Sequence, residues 1–463
     1  MNYADFIAGK SATTAFPGIA VSPDEIQSHL FPFQRDLTRW ALRKGRACVF
    51  ADTGLGKTLM QIEWARRVSE RGRVLILTPL AVAQQTVATA ARFGVSLAYA
   101  RSDTGESIIV TNYEMLHAFN PSDFIGIVLD ESSILKAFDG KTRNGLIAAF
   151  KETPFRLALT ATPAPNDFTE LGNHAEFLGV KTRTEMLAEY FVHDGGSTQD
   201  WRLKRHAVDA FWRWVASWGA VVRAPSNLGY PDDGFALPPI HMHEHAIPMD
   251  HAQAQSVGRL FLPHAATLSD QRAARRASLS ERVRVASGIA TCAEPAVVWC
   301  ELNDEADAIA DAIADAVQVS GSDSLDDKIQ KLVGFADGRY RALVTKPSIA
   351  GFGLNWQHCA LVVFAGASHS YEQTYQAIRR CWRFGQGRQV HVHRVYSEAN
   401  GLIVENFRRK EADAERMAAD MLAHVGPAVR AEVSSAANRW NPYNPTSPIV
   451  VPAWLHAQEA VSQ

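Results

Sequence analysis

The stretch that decides the fold is Ala47-Cys48-Val49-Phe50-Ala51-Asp52-Thr53-Gly54-Leu55-Gly56-Lys57-Thr58. A short apolar run ends in a glycine-rich turn, and a helical pattern follows it over Thr58–Ser69. That order, strand then loop then helix, gives the glycine-rich match its meaning as a phosphate-binding loop. Gly54 and Gly56 free the backbone N–H groups of Asp52, Thr53, Leu55 and their neighbours to wrap phosphate oxygens. Lys57 brings a positive charge to the β- and γ-phosphates. The Thr58 hydroxyl is placed to hold Mg²⁺, and the helix N-terminus adds its dipole.

Downstream, Ile125–Leu129 is a second apolar run, and it closes on Asp130-Glu131-Ser132-Ser133. An acid at such a strand end is what a phosphate-loop enzyme needs to hold the metal, which assigns Asp130. Glu131 then orients and polarises the attacking water. Leu157-Ala158-Leu159-Thr160-Ala161-Thr162-Pro163 closes a further strand. Thr160 and Thr162 offer hydroxyls that couple the γ-phosphate to the rest of the machine.

The runs Ala47–Phe50, Val74–Leu77, Ile108–Val110, Ile125–Leu129 and Phe155–Leu159 lack strict alternation, as parallel strands buried on both faces do. Helical patterns lie between them, so the first part reads as a doubly wound α/β lobe. After about Asp167 the rhythm breaks. Some seventy mostly helical residues follow, with Trp201, Trp212, Trp214 and Trp218 read as its core, and then a Pro/Gly/Asp-rich linker over Ala224–Pro239. A second α/β rhythm begins with an Arg-rich helix over His251–Gly288. Its strands are expected at Ala296–Cys300, Val317–Ser320, Arg341–Thr345, Leu361–Ala365 and Gln389–Tyr396. The expected units are residues 1–168 for an N-terminal ATP-binding lobe and 169–245 for a helical insertion and linker. Residues 246–425 make the second lobe and 426–463 a C-terminal tail.

Composition sets outer bounds. The 463 residues predict about three domains, or two and an insertion. Apolar residues at 47% and charged residues at 21% can build real cores, which excludes wholesale disorder. A net charge of −2 leaves any nucleic-acid surface to local patches. The five cysteines form no C-x-x-C pair, which suits a reducing cytoplasm rather than a zinc site or a disulfide framework. Neither a secretory signal nor a membrane span is expected.

In this order the motifs resemble those of superfamily-two helicase ATPases, most closely the SWI/SNF-like DNA translocases, over roughly Leu30 to Tyr396. The resemblance implies two RecA-like doubly wound parallel-sheet lobes with a helical insertion between them. Phe33-Gln34 is similar to the family's adenine-reading segment, which makes Gln34 a nucleotide contact. Leu77-Thr78-Pro79-Leu80 and Val110-Thr111-Asn112-Tyr113 resemble the strand-end segments that grip a nucleic-acid backbone. On the second lobe the resemblance gives Lys346 and Asn355 the same task. It places Gly353, within Ser348–Trp356, at the nucleotide. Gln376-Ala377-Ile378-Arg379-Arg380-Cys381-Trp382-Arg383-Phe384-Gly385-Gln386 is similar to the family's Gln-x-x-Gly-Arg-x-x-Arg-x-Gly-Gln. Gln376, Arg380 and Arg383 fall on its catalytic positions, with Arg383 the arginine finger and Arg380 beside it. Arg379 replaces the family's glycine, and Ser133 its histidine. Val222-Arg223 and Leu237-Pro238-Pro239 resemble the family's inter-lobe segments.

The resemblance therefore implies ATP and Mg²⁺ as cofactors, double-stranded DNA as the partner, no membrane, and a cytoplasmic setting in a bacterial or phage-infected cell. The expected activity is nucleic-acid-stimulated ATP hydrolysis that drives translocation. Two alternatives stand beside it: a strand-separating or annealing helicase on forks or RNA, and an ATP-gated module that recruits a nuclease or replication partner through the insertion or the tail. Weaker signals are His241, His243 and His245, read as an exposed strand rather than a metal site. Lys136, Lys141 and Arg143, and the arginines from Arg272 to Arg284, are either phosphate contacts or solvated faces.

Overall fold

The computed structural model describes residues 18–136, 140–164, 167–193, 201–248, 275–291, 294–350, 355–368 and 370–434. The first lobe is built on strands β1 (Arg46–Ala51), β2 (Val74–Thr78), β3 (Ala98–Tyr99), β4 (Ile108–Asn112), β5 (Gly126–Asp130) and β6 (Phe155–Thr160). A hairpin of β7 (Phe191–His193) and β8 (Trp201–Leu203) follows, and then β9 (Gly219–Val222). The first sheet runs β3-β4-β2-β5-β6-β1-β9, parallel throughout. Its central strands are buried along their whole length, which is why their sequences are continuous apolar runs rather than alternations.

This topology corrects the expected domain boundaries. β9 pairs in parallel with β1, matching Cys48 with Gly219 through Ala51 with Val222, so the first lobe extends to Val222. The helices Leu171–Leu178 and Val208–Trp218 are part of that lobe rather than a separate insertion. Trp212 and Trp218 are buried in its core, as is Phe211. The aromatic residues are structural here: Phe211 meets Trp212 at 4.9 Å and Trp214 meets Trp218 at 5.3 Å.

The second sheet uses β10 (Ile240–Ile247), β11 (Ala296–Trp299), β12 (Ala316–Gln318), β13 (Ala342–Thr345), β14 (Leu361–Phe364) and β15 (Val390–Ser397). Its order is β10-β15-β14-β11-β13-β12, again parallel. β10 carries His241, His243 and His245 on the strand that their alternation suggests, but it pairs with β15, so the second sheet starts at Ile240, inside the unit expected to end at residue 245. Of the expected Arg-rich helix, Leu279–Ala290 is seen, and residues 251–274 lie outside the described residues. Arg282 is buried and paired with Glu305, so it is a core group and not a phosphate contact. The two lobes thus have the doubly wound RecA-like form. Among the described residues no helix is long and apolar enough to cross a membrane.

The chain then recrosses the molecule. The helix Gly401–Ser434 has 34 residues and spans about 50 Å at 1.5 Å per residue. Its first turns pack Ile403 and Val404 against Ala367 of the second lobe. Its last turns bury Met421, Val425, Val429 and Val433 in the first lobe's core. Polar ties accompany the crossing: Arg223 to Glu415 at 2.7 Å, Trp40 Nε1 donating to Glu432 at 3.0 Å, and Lys44 to Glu432 at 2.8 Å. Residues 426–434 therefore belong to a helical strap and not to a tail; residues 435–463 lie outside the described residues. Val425→Ala and Val429→Ala should each cost about 2 kcal/mol of unfolding free energy from lost burial. Arg409→Ala, on the helix's exposed face, should cost nothing measurable. Urea denaturation followed by tryptophan fluorescence checks both.

Candidate active site

The phosphate loop forms as its sequence requires. Gly54 (φ 94°) and Gly56 (φ 80°) both lie in the left-handed region. They are also tight against neighbours. A Cβ on Gly54 would come within 2.9 Å of the Phe384 backbone nitrogen, and one on Gly56 within 2.2 Å of Gln34 Nε2. Phe384 belongs to the second lobe, so the loop is roofed by it. Lys57 begins the helix Lys57–Ser69, and its ammonium donates to the Ala51 carbonyl at 2.8 Å and the Asp52 carbonyl at 3.3 Å. Removal from water lowers its pKa, while Glu131, Asp52 and Asp130 act to raise it.

Asp130 ends β5 and is buried. Its Oδ2 accepts from Gln61 Nε2 and from Thr78 Oγ1, each at 3.2 Å, and its carbonyl accepts from the Tyr113 hydroxyl at 2.7 Å. Burial, with the Glu131 charge adding to it, pushes its pKa up to about 6. Glu131 sits at φ 55°, a strained setting for a residue with a long side chain, and its Oε2 is buried without a hydrogen-bond partner. Strain and an unpartnered carboxylate oxygen thus coincide on the residue expected to polarise water.

The second lobe supplies the opposite charge. The helix Tyr371–Ile378 ends in a tight turn that carries Arg379, Arg380 and Arg383. Arg380 donates to the Gln376 carbonyl at 3.0 Å and to Gln376 Oε1 at 3.1 Å. Gln386 Nε2 holds the turn by donating to the carbonyls of Cys359 (3.0 Å) and Cys381 (3.2 Å). Burial lowers the pKa of Arg380, with Glu131 and Asp130 opposing. Burial, and then Arg380, pulls Arg383 down to about 9, with Glu131 again opposing. Gln376 reaches toward Thr162 Oγ1 at 3.5 Å across the cleft, and Thr160 Oγ1 accepts from the Thr162 N–H at 3.1 Å.

Other expected residues are placed differently. Gln34 is buried and both ends of its amide are engaged: Oε1 accepts from the Phe31 N–H at 3.0 Å, and Nε2 donates to the Leu55 carbonyl at 3.0 Å. In this arrangement it braces the phosphate loop. Thr78 and Thr111 are fully buried, and Tyr113 serves Asp130. Thr78 and Tyr113 support the acidic strand end, the Thr111 hydroxyl is buried without a partner, and none of the three side chains can grip a phosphate backbone as it stands. Asn112 is likewise buried, donating to Glu114 at 2.9 Å. Pro79 immediately precedes the helix Leu80–Arg92, and Lys346 Nζ donates to Asn303 at 2.6 Å. Asn355 is partly exposed, and Gly353 lies outside the described residues. Lys136 pairs with Glu372 of the second lobe, and Arg143 is buried against Glu176.

Sequence reasoning missed His174 altogether, and missed the partners His391 and His393 of the strand histidines. His174 is fully buried and its Nε2 lies 3.1 Å from Ser132 Oγ, so an imidazole reaches the acidic segment from a distant helix. Burial lowers its pKa to about 4, so it is neutral there. His243 and His245 lie 3.0 Å from His391 and His393 respectively, as a ladder between neighbouring strands. Among the described residues no group of three or more His, Cys, Asp or Glu is arranged to hold a metal ion.

A divalent cation fits at the strand end. Asp130 and Glu131 repel one another in a buried place, and a cation held by Thr58 and Asp130 would neutralise that charge and the phosphate oxygens beside it. Because ionised Asp130 is disfavoured in the folded protein, it costs stability above its folded pKa of about 6, and that cost fades as pH falls toward the ordinary carboxylate value. Asp130→Asn should therefore stabilise the metal-free protein at pH 8 and lose that advantage by pH 4, read as a shift in thermal midpoint. The acid limb of Mg²⁺-dependent activity should lie near pH 6 and move to lower pH as Mg²⁺ is raised.

Two family descriptions match the chain. Residues 27–165 match the res subunit of type III restriction enzymes, and residues 289–385 match the helicase conserved C-terminal domain. Among curated relatives, the mouse protein described as "DNA annealing helicase and endonuclease ZRANB3" is 26% identical over 162 residues, covering 31% of this chain and 15% of that protein. Its bovine counterpart is 24% identical over 174 residues, covering 33% and 16%. The matches thus span about 15% of the length of these relatives. A solved structure, the Sulfolobus solfataricus SWI2/SNF2 ATPase core in complex with dsDNA, aligns over 88% of this chain and 99% of its own with 18% identity and a TM-score of 0.40.

Proposed function

We propose that this superfamily-two helicase of the SWI/SNF-like kind, an ATP-hydrolysing motor that acts on DNA, moves along the duplex without separating its strands. The observation that carries the ATPase reading is the pair of opposed electrostatic demands at the cleft. Burial disfavours the charge on Lys57, Arg380 and Arg383 and, on the other side, the charge on Asp130. A triphosphate bound with Mg²⁺ meets both demands at once, because the anion faces the cations and the metal faces the acids.

Each residue then has a task. The loop from Asp52 to Thr58 binds the phosphates, and Lys57 leaves its carbonyl partners for them. Asp130 and Thr58 would hold the metal, which would supply charge neutralisation. Glu131, its Oε2 unpartnered, orients the water and takes up its proton. Arg383 and Arg380 stabilise the charge that builds on the γ-phosphoryl group. Since the two halves come from different lobes, the bound nucleotide closes the cleft and hydrolysis lets it open. The motif resemblance supports duplex DNA as the track. The relatives' description as annealing helicases favours a second reading, in which the same motor re-pairs single strands. Among the described residues Cys48, Cys300, Cys359 and Cys381 are buried free thiols, which supports a cytoplasmic setting.

Steady-state ATP hydrolysis without polymer and with duplex DNA, single-stranded DNA and RNA tests the reading. Duplex DNA should stimulate most, and Arg383→Ala should lower kcat on the order of a thousandfold, with Glu131→Gln inactive. Rates indifferent to every polymer would overturn the motor reading. Loss of a triplex-displacement signal with strand annealing retained would select the second.

A further inference from the structure

Asp52 of the phosphate loop is held by two side chains of the second lobe. Arg379 Nη2 meets Asp52 Oδ2 at 2.6 Å, and the Tyr375 hydroxyl donates to Asp52 Oδ1 at 2.7 Å. Arg379 Nε also donates to the Tyr375 oxygen at 3.1 Å, which closes a triangle. The Arg379 and Asp52 side chains are only 6% and 13% exposed. The guanidinium lies over two rings, 4.5 Å from the Trp382 centroid and 5.1 Å from that of Tyr375. Trp382 is itself anchored, its Nε1 donating to the Pro238 carbonyl at 2.7 Å. On the other side, Asp52 Oδ1 accepts from the Thr53 N–H at 2.6 Å, so the carboxylate is tied into the loop backbone.

We propose that Arg379 and Tyr375 are positioning residues that clamp Asp52, docking the arginine turn onto the phosphate loop so that Arg380 and Arg383 are fixed at the reaction centre. A buried ion pair adds little net stability, because desolvation offsets its attraction. What it fixes is geometry: a bidentate-capable, ring-stacked guanidinium admits one orientation. Arg379 directly precedes Arg380, so docking the one sets the other's approach. Both oxygens of Asp52 are used by the second lobe, so in this closed arrangement the loop that binds phosphates and the turn that completes the site are held in register, and opening the cleft has to break these contacts. The inference rests on the ATPase reading for its consequence but not for its geometry.

The test has two arms. In duplex-stimulated hydrolysis, Arg379→Ala should lower kcat about a hundredfold, the cost of a small misplacement, with ADP affinity unchanged because the first lobe is intact. Asp52→Asn should lower kcat too, and the double variant should be no worse than Arg379→Ala, since both remove one interaction. Arg379→Lys should recover part of the loss. The second arm reads the distance between fluorophores on Arg71→Cys and Asp337→Cys, in a Cys292→Ser background, without nucleotide. Arg379→Ala should lengthen or broaden it. Unchanged kcat, fully additive losses, or loss of ADP binding in Arg379→Ala would overturn the clamp. If the wild-type protein hydrolyses no ATP with any polymer, the motor reading fails alone, and an unchanged inter-lobe distance in Arg379→Ala would then overturn the clamp.

Discussion

Charge that neither lobe can neutralise by itself governs this molecule. Asp130 and Glu131 stand side by side at the end of a buried strand, and Glu131 keeps one oxygen without a partner. Across the cleft, Arg379, Arg380 and Arg383 crowd one short turn, and each of the last two loses basicity through burial. Such groups are expensive to desolvate unless they face an opposite charge. Bringing the lobes together is therefore coupled to the charges between them, and a nucleotide with its metal is the species proposed to meet both faces. The remaining architecture serves to hold that meeting point: two parallel sheets, a roofed phosphate loop and a long helix joining the lobes.

What could be read from the chain was whatever depends on neighbours in sequence. The strands at Val74–Thr78 and Phe155–Thr160 are runs of buried aliphatic residues, and periodicity alone finds them. The phosphate loop and the acidic pair are equally local, since glycine, lysine and a strand-ending acid do their work within a few residues. The second-lobe turn was legible only through its resemblance to a family motif, since its residues taken alone also suit a basic amphipathic helix.

What was hidden depends on partners far along the chain. Gly219–Val222 is four residues long and looked like the end of a helical stretch; only its pairing with β1 makes it a strand of the first sheet. His174 lies 42 residues from its partner Ser132, and no spacing rule links them. Thr78 fits a strand-end contact by motif, yet its hydroxyl is spent on Asp130, a matter of side-chain direction that sequence does not carry. Arg379 looked like a disruption of a glycine position. Its meaning appeared once Asp52, 327 residues away, was found against it.

The strap also bears on how the protein comes to be made. Residues 421–433 fill the first lobe's core, beside strands that the ribosome finished hundreds of residues earlier. During synthesis that apolar groove stays open while the whole second lobe emerges. The growing chain must keep it from non-productive contacts until its own late helix arrives. The first lobe is thus translated before the second and completed only after it. A stalled or truncated product that stops before the strap would expose apolar surface, and would be a natural substrate for chaperones and proteases.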